Sequence, residues 1–300
     1  MNVYIKALRA PFLAGSIVPV LIAAAYAFLE KQFIFVPFLV SILGVGALHL
    51  GANLINDYYD ARGSDPINIR FTPFSGGSRV IQNKEVAPGV ILFMAIGFFA
   101  LALVCGIWLA GFGRPLVLVI GFLGLVAGWS YSSPPLQLMS RGLGEIAIFF
   151  AFGPLITLGA YYAMSGHLSW QAFAIGLPHG FLIAEVIWIN QFPDYQADKG
   201  ATKKNLVVRL GLNSSRYLYC LIMLLSFVAV IFLVGFMGSS YLIMISFISF
   251  PLAIKSMRIL WGEYLSHERL IPAQALTIQT LVAQGLLLSL GFVLSRFIHV

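Results

Sequence analysis

The sequence predicts an all-α, polytopic membrane protein with nine transmembrane helices. Composition is the first reason: 60% of the 300 residues are hydrophobic and only 10% are charged, whereas a soluble domain carries about 25% charged residues. Mean hydropathy is +0.92. The second reason is spacing. Apolar runs recur over residues 11–29, 34–56, 88–110, 114–131, 143–164, 168–192, 214–236, 238–260 and 274–297, each of roughly the 17–25 residues that cross a hydrocarbon core. Backbone in lipid must satisfy its own hydrogen bonds, and no barrel-like alternation is visible, so these runs are read as helices.

The third reason is the placement of cations. Loops after helices 1, 3, 5 and 7 are short, and those after helices 2, 4, 6 and 8 are longer and polar. Of the 18 Lys and Arg residues, only Lys31, Arg114 and Arg296 fall on the short-loop side. The positive-inside tendency then sets the N-terminus and the long loops in the cytoplasm and the C-terminus outside. A miscount by one span would scramble this bias. The cell membrane of a bacterium or archaeon is the expected location.

Each element has a competing explanation. Lys6 and Arg9 before the first run resemble a cleaved leader, but the run is long enough to span and many spans follow. The divisions at 111–114 and 236–239 rest on short Gly-containing turns. A net charge of +7 is explained by membrane-flanking loops, and no stretch resembles a nucleic-acid-binding module. Cys105 and Cys220 lie in apolar runs and read as buried thiols. The whole of 1–300 reads as one transmembrane domain.

All five aspartates lie in two short clusters: Asp57, Asp60 and Asp65 after helix 2, and Asp194 and Asp198 after helix 6. Both clusters fall on the cytoplasmic side. In each, an asparagine (Asn53, Asn190) precedes the first Asp by four positions and another Asp follows by three or four. On a helix these offsets share one face. Helices 2 and 6 are four apart, which suggests an internal repeat of helices 1–4 and 5–8, with helix 9 added.

Carboxylates crowded in this way repel one another unless cations lie between them. Mg2+ is the expected cofactor, because it binds through one or two carboxylates plus phosphate oxygens. Arg70, Arg79, Lys199, Lys203 and Lys204 stand close enough in sequence to bind a diphosphate directly. The run Phe74 to Arg79 could offer backbone N–H groups to phosphate. A diphosphate head with an apolar interior suits an isoprenyl diphosphate, whose allylic cation aromatic faces would stabilise. Simpler explanations compete: helix capping for the acids, and lipid-headgroup anchoring for cations such as Arg62, Lys255, Arg258 and Arg269. His49 reads as a packed or supporting histidine, and Glu185 as a costly intramembrane acid.

The chain resembles the UbiA superfamily of intramembrane prenyltransferases. The matching segments are Asn53 to Asp65, Tyr131-Ser132-Ser133-Pro134-Pro135, Arg141-Gly142-Leu143-Gly144-Glu145, and Asn190 to Gly211. The resemblance implies a helical bundle around a central chamber and Mg2+-dependent prenyl transfer. Asp57, Asp60, Asp194 and Asp198 are the implied metal and catalytic residues. Asn53, Asn56, Asn190 and Arg141 join the expected substrate-binding set, with Tyr131 and Glu145 placed to orient an acceptor. Asn-Asp-Tyr-Tyr-Asp and the Val-Val-Arg-Leu-Gly ending at Gly211 look most like the branch acting on 1,4-dihydroxy-2-naphthoate in menaquinone synthesis. The expected partners are a polyprenyl diphosphate, an aromatic acceptor and membrane lipids. Ser64 stands where many members have an Asp, and Lys204-Asn205 where Arg-Thr is common. The alternatives are another acceptor (4-hydroxybenzoate, homogentisate, chlorophyllide or a glycerol phosphate), a cation-coupled secondary transporter, or a CDP-alcohol phosphotransferase, whose Asp-Gly start is missing.

Overall fold

A computed structural model describes residues 2–298. Every regular element among them is helical, with no strand. Eight helices are long and apolar enough to cross a membrane: α1 (Val3–Leu29), α2 (Phe35–Asp60), α3 (Pro88–Gly111), α5 (Gly144–Ser165), α6 (Trp170–Gly200), α7 (Leu212–Gly235), α8 (Tyr241–Glu263) and α9 (Ile271–Ser295). Between α3 and α5 lies a shorter apolar helix, α4 (Leu116–Ser132). The protein is thus an integral membrane protein. The carboxyl-terminal residues 299–300, on which the expected outside location bears, lie outside the described residues.

Prolines sit where helices begin. Pro88 opens α3, Pro115 precedes α4, and Pro251 and Pro272 lie near the starts of regular segments in α8 and α9. At a first turn a missing N–H costs nothing. Two helix ends differ from expectation. Apolar character stops near Ile55, yet α2 stays helical to Asp60; Asn56 Nδ2 donates to Asp60 Oδ2 one turn on, at 3.0 Å. Likewise α6 runs through Pro193 to Gly200 rather than ending near 192. The clusters at Asp57/Asp60 and Asp194/Asp198 therefore stand on terminal helical turns, not in the loops after them; of the five, Asp65 alone lies beyond its helix.

The bundle is uneven. Of the most apolar part of α6, 78% is buried, against 17% for α3. Thus α6 is the central helix and α3 a peripheral one. Around α6, Trp188, Tyr219, Phe227 and Leu281 form one core with α7, α8 and α9. A second core joins α1, α5 and α9 through Tyr26, Tyr161 and Phe292. Large apolar side chains such as Phe93, Val104, Phe122 and Ile248 face outward, as lipid contact requires. The loops 61–87, 133–143 and 201–211 meet at one end: Lys204 N–H donates to Ser140 O at 3.0 Å, and Arg209 Nη2 to Arg141 O at 2.8 Å.

Small residues set the closest helix crossing. A Cβ on Gly153 would stand 2.5 Å from Gly176 O and 2.6 Å from Gly180 Cα, at the wide turn that α5 makes around Pro154. Close backbone approach of this kind is how membrane helices gain packing energy. Gly153→Val should therefore cost about 1–3 kcal/mol by overpacking and lower the melting temperature in detergent. Gly97→Ala, where an added Cβ meets nothing within 4 Å, should not. Equal melting temperatures for wild type and Gly153→Val would refute this close crossing.

Candidate active site

The two helix ends that carry the acids border one cavity of about 150 Å3. From α2 it is lined by His49, Asn53, Asn56 and Asp60. From α6 come Asn190, Gln191, Asp194 and Asp198, and Arg9, Ser64, Asp65, Ser75, Tyr131 and Lys203 add to the polar wall. These spacings are whole helical turns, which is why one face of each helix reaches the cavity.

One cation joins the clusters. Lys203 Nζ donates to Asp60 Oδ1 at 2.7 Å and lies 3.7 Å from Asp198 Oδ1. Burial works against its ammonium, but Asp60, Asp198 and Asp65 prevail and push its pKa up. Neutral donors hold the remaining oxygens. Asn205 Nδ2 donates to Asp198 Oδ2 at 2.8 Å, and Asn68 Nδ2 to Asp194 Oδ1 at 2.7 Å. The 61–87 loop crosses between the clusters: Gly76 N–H donates to Asp194 Oδ2 at 3.3 Å, and Ser78 N–H to Asp57 Oδ1 at 3.2 Å. Gly77, between them, has φ +74°, and a Cβ there would sit 2.6 Å from Asp65 Oδ2. Only glycine combines that φ with that contact.

Asp65 is 3% exposed and accepts from Gln82 Nε2 at 3.0 Å. Burial, and then the neighbouring carboxylate of Asp60, push its pKa up to about 8; Asp57 and Asp194 add to this, against Lys203. Among the described residues no three His, Cys, Asp or Glu side chains converge to cage a metal ion. The donor set nonetheless fits Mg2+ shared with a phosphate, which needs only one or two carboxylates from the protein. Burial chiefly holds a proton on Asp65, and the carboxylate repulsion that adds to it is what a divalent cation would relieve.

Not every expected residue reaches the cavity. Arg79 Nη1 donates to Asp65 O at 2.6 Å and its guanidinium stacks on Phe71, so it braces the loop. Arg70, Arg141, Lys199 and Lys204 are exposed and do not line the cavity. Lys199 lies over Tyr195, and Arg141 donates to Pro135 O. Asp57 is buried against Ser78 rather than open to the cavity. Glu185 is fully buried, with no hydrogen-bond partner for either carboxylate oxygen among the described residues, and is not part of the cavity wall. Sequence reasoning missed Arg9, which lines the cavity and donates to Phe74 O at 3.2 Å. It also missed Asn68, Gln82 and Asn205. Nothing local distinguishes these residues from ordinary loop polars.

The acidic ends of α2 and α6 thus face each other across one cavity of an integral membrane protein. Residues 16–271 match the model of the UbiA prenyltransferase family, and the chain belongs to that family and is a prenyltransferase. It is 24% identical over 289 residues to a 1,4-dihydroxy-2-naphthoate octaprenyltransferase of Bacillus subtilis, covering 95% of this chain and 90% of the relative. Its fold is similar to that of a UbiA homolog from Aeropyrum pernix in its apo form, with TM-score 0.72 and 14% identity over 93% of this chain and 97% of the other. A UbiA homolog from Archaeoglobus fulgidus bound to GPP and Mg2+ matches with TM-score 0.63 and 17% identity, over 96% of this chain and all of the other.

The state of Asp65 carries a pH signature. In the folded, metal-free chain it keeps its proton up to about pH 8, whereas an unfolded aspartate releases it near 4. Between those values the folded state binds the extra proton, so this group makes stability fall as pH rises from about 4 to about 8. Melting of the EDTA-treated protein across that range should show a shallower decline for Asp65→Asn than for wild type. Identical pH profiles would show that Asp65 ionises normally.

Proposed function

We propose that this chain transfers the polyprenyl group of a polyprenyl diphosphate to an aromatic acceptor in an Mg2+-dependent reaction. The acceptor we propose is 1,4-dihydroxy-2-naphthoate, which makes the reaction a step of menaquinone biosynthesis. The observation that carries this is the pair of carboxylate-bearing helix ends held across one cavity by Lys203. An apolar cavity of about 380 Å3 adjoins it between α2, α3, α4 and α5; Leu48 and Ala151 line the apolar space, and their neighbours His49 and Phe152 the polar one. A diphosphate head and a prenyl tail have the same division. GPP and Mg2+ in the Archaeoglobus neighbour support the donor and the metal, and the activity named for the Bacillus relative supports the acceptor.

Asp60, Asp194 and Asp198, with Asn53 and Asn190, line the cavity and would hold Mg2+, whose charge would neutralise the diphosphate when bound, while Asp57, turned to Ser78 N–H, would support them from behind. Lys203, and Arg9 at the cavity wall, add fixed positive charge where the leaving diphosphate gathers electrons. The prenyl C1–O bond breaks with its electron pair going to diphosphate. A C–C bond forms from C1 to a ring carbon of the acceptor, and the ring recovers aromaticity by shedding the proton or carboxyl group it carried there. Tyr131, Phe12 and Phe152 line the cavity and offer faces to the allylic cation, while the apolar wall keeps water from it.

In the same reading α4 is a ninth span, and the loops after α2, α4, α6 and α8 lie in the cytoplasm. The chain forms one domain in which α1–α4 and α5–α8 repeat. A single cysteine placed at Lys84 in a cysteine-free variant should then react with a membrane-impermeant maleimide only after cells are opened; labelling in intact cells would invert this topology. For the chemistry, purified protein with labelled polyprenyl diphosphate, Mg2+ and 1,4-dihydroxy-2-naphthoate should form a prenylated naphthoquinol. EDTA should abolish product, and Asp60→Ala or Asp194→Ala should lower the rate by about 100-fold or more. Full activity in both variants would remove the acids from the reaction, and product from another phenolic acid alone would change the acceptor.

A further inference from the structure

Two buried polar atoms at the wall of the active-site cavity have no hydrogen-bond partner among the described residues. His49 is 7% exposed; its Nδ1 shares a 2.6 Å hydrogen bond with Ser16 Oγ, and its Nε2 has no partner. Gln191 is 5% exposed; its Nε2 donates to Glu145 Oε1 at 2.8 Å, and its Oε1 has no partner. The amide orientation is fixed, because Glu145 Oε1 also accepts from Leu206 N–H at 3.3 Å and, as an acceptor, requires the –NH2 end of Gln191. Leaving such atoms unpaired in a buried site is costly, and an unsatisfied buried group in a native site calls for an explanation.

Depth separates these atoms from the diphosphate. His49 lies two turns below Asp57 on α2 and Gln191 about one turn below Asp194 on α6, on the way to the apolar cavity. An amide oxygen repels phosphate oxygens and attracts an O–H donor. A hydroxyl can also donate to or accept from His49 Nε2, whichever ring tautomer Ser16 selects. Gly128, Phe152, Ile183, Val186 and Ile187 supply apolar wall to the same cavity. His49 itself meets Phe152 edge-on, with centroids 5.5 Å apart, which fixes its ring.

We propose that His49 and Gln191 form the acceptor subsite, each hydrogen-bonding one ring hydroxyl of a dihydroxylated aromatic held between them. This inference rests on the prenyltransferase reading above and adds which groups choose the acceptor. His49 and Gln191 orient the ring so that its nucleophilic carbon meets prenyl C1, while the acidic helix ends hold the diphosphate.

The test separates acceptor from donor. Initial rates are measured with 1,4-dihydroxy-2-naphthoate and with its two mono-O-methyl ethers, at varied polyprenyl diphosphate. For wild type, at least one ether should raise the acceptor KM by about tenfold or more without moving the KM for diphosphate. His49→Phe should raise the KM for the parent acceptor by a similar factor and discriminate less against one ether, and His49→Gln should recover much of the loss. Gln191→Met should do the same for the other ether. If wild type accepts both ethers as well as the parent, the proposal is overturned without use of any variant. It is also overturned if the variants raise only the KM for diphosphate. Absence of Mg2+-dependent transfer to any acceptor would instead overturn the function itself.

Discussion

The mutual repulsion of carboxylates at two membrane-embedded helix ends is the constraint around which this end of the protein is built. Asp57, Asp65 and Asp198 are each no more than 5% exposed, at positions where burying an unpaired charge is prohibitive. The compensation is spread over three loops. Lys203 and Asn205 come from 201–211, and Asn68, Gly76, Ser78 and Gln82 from 61–87. The 133–143 loop braces the 201–211 loop through Ser140 and Arg141. Apart from Lys203, the donors these loops supply to the acids are backbone and amide N–H groups.

That arrangement explains what the sequence showed and what it concealed. Membrane class, helix identity and the paired acids were legible because each leaves a local or periodic mark: hydropathy over a span, or Asn and Asp at helical spacing. Helix ends were not, because hydropathy falls at Ile55 while the Asn56–Asp60 contact carries α2 a turn further. Cation roles were harder still. Lys199, Lys203 and Lys204 are close in sequence, but Lys199 follows Asp198 directly and so points about 100° away from it around the helix. Lys204 is tied by its backbone to Ser140. Only Lys203, past the left-handed turn at Thr202, is turned back between the acids. Arg9 and Asn68 reach the site only through tertiary folding, and no sequence neighbour marks them.

The deeper half of the molecule follows a different rule. Around the larger cavity the wall is made mainly of small and aliphatic residues from α2 to α5, with the rings of Phe99 and Phe122, and α3 and α4 present large apolar side chains to the outside. The central helix α6 separates this region from the tightly packed α7–α9 core. Rigidity and space are thus divided between the two sides of the bundle. The packed side fixes the line of Asn190, Asp194 and Asp198, through contacts such as Gln274 Nε2 to Asn190 Oδ1 at 2.9 Å. The looser side leaves room for an apolar chain.

Where the two halves meet, polar groups stand unsatisfied in an apolar wall. A protein selected for stability alone would replace His49 and Gln191 with aliphatic residues, since each unpaired group costs more than it returns. Their retention of firm supports on one side only, Ser16 for His49 and Glu145 for Gln191, has a physical consequence. The supports remove rotamer freedom in advance, so a ligand that pairs the free atoms gains hydrogen bonds without having to order the side chains. At the acidic end the same logic runs with charge: carboxylates held together at a cost in repulsion gain most from a bound cation. At both ends of the cavity, then, the groups that a ligand would pair are held in place by the protein itself.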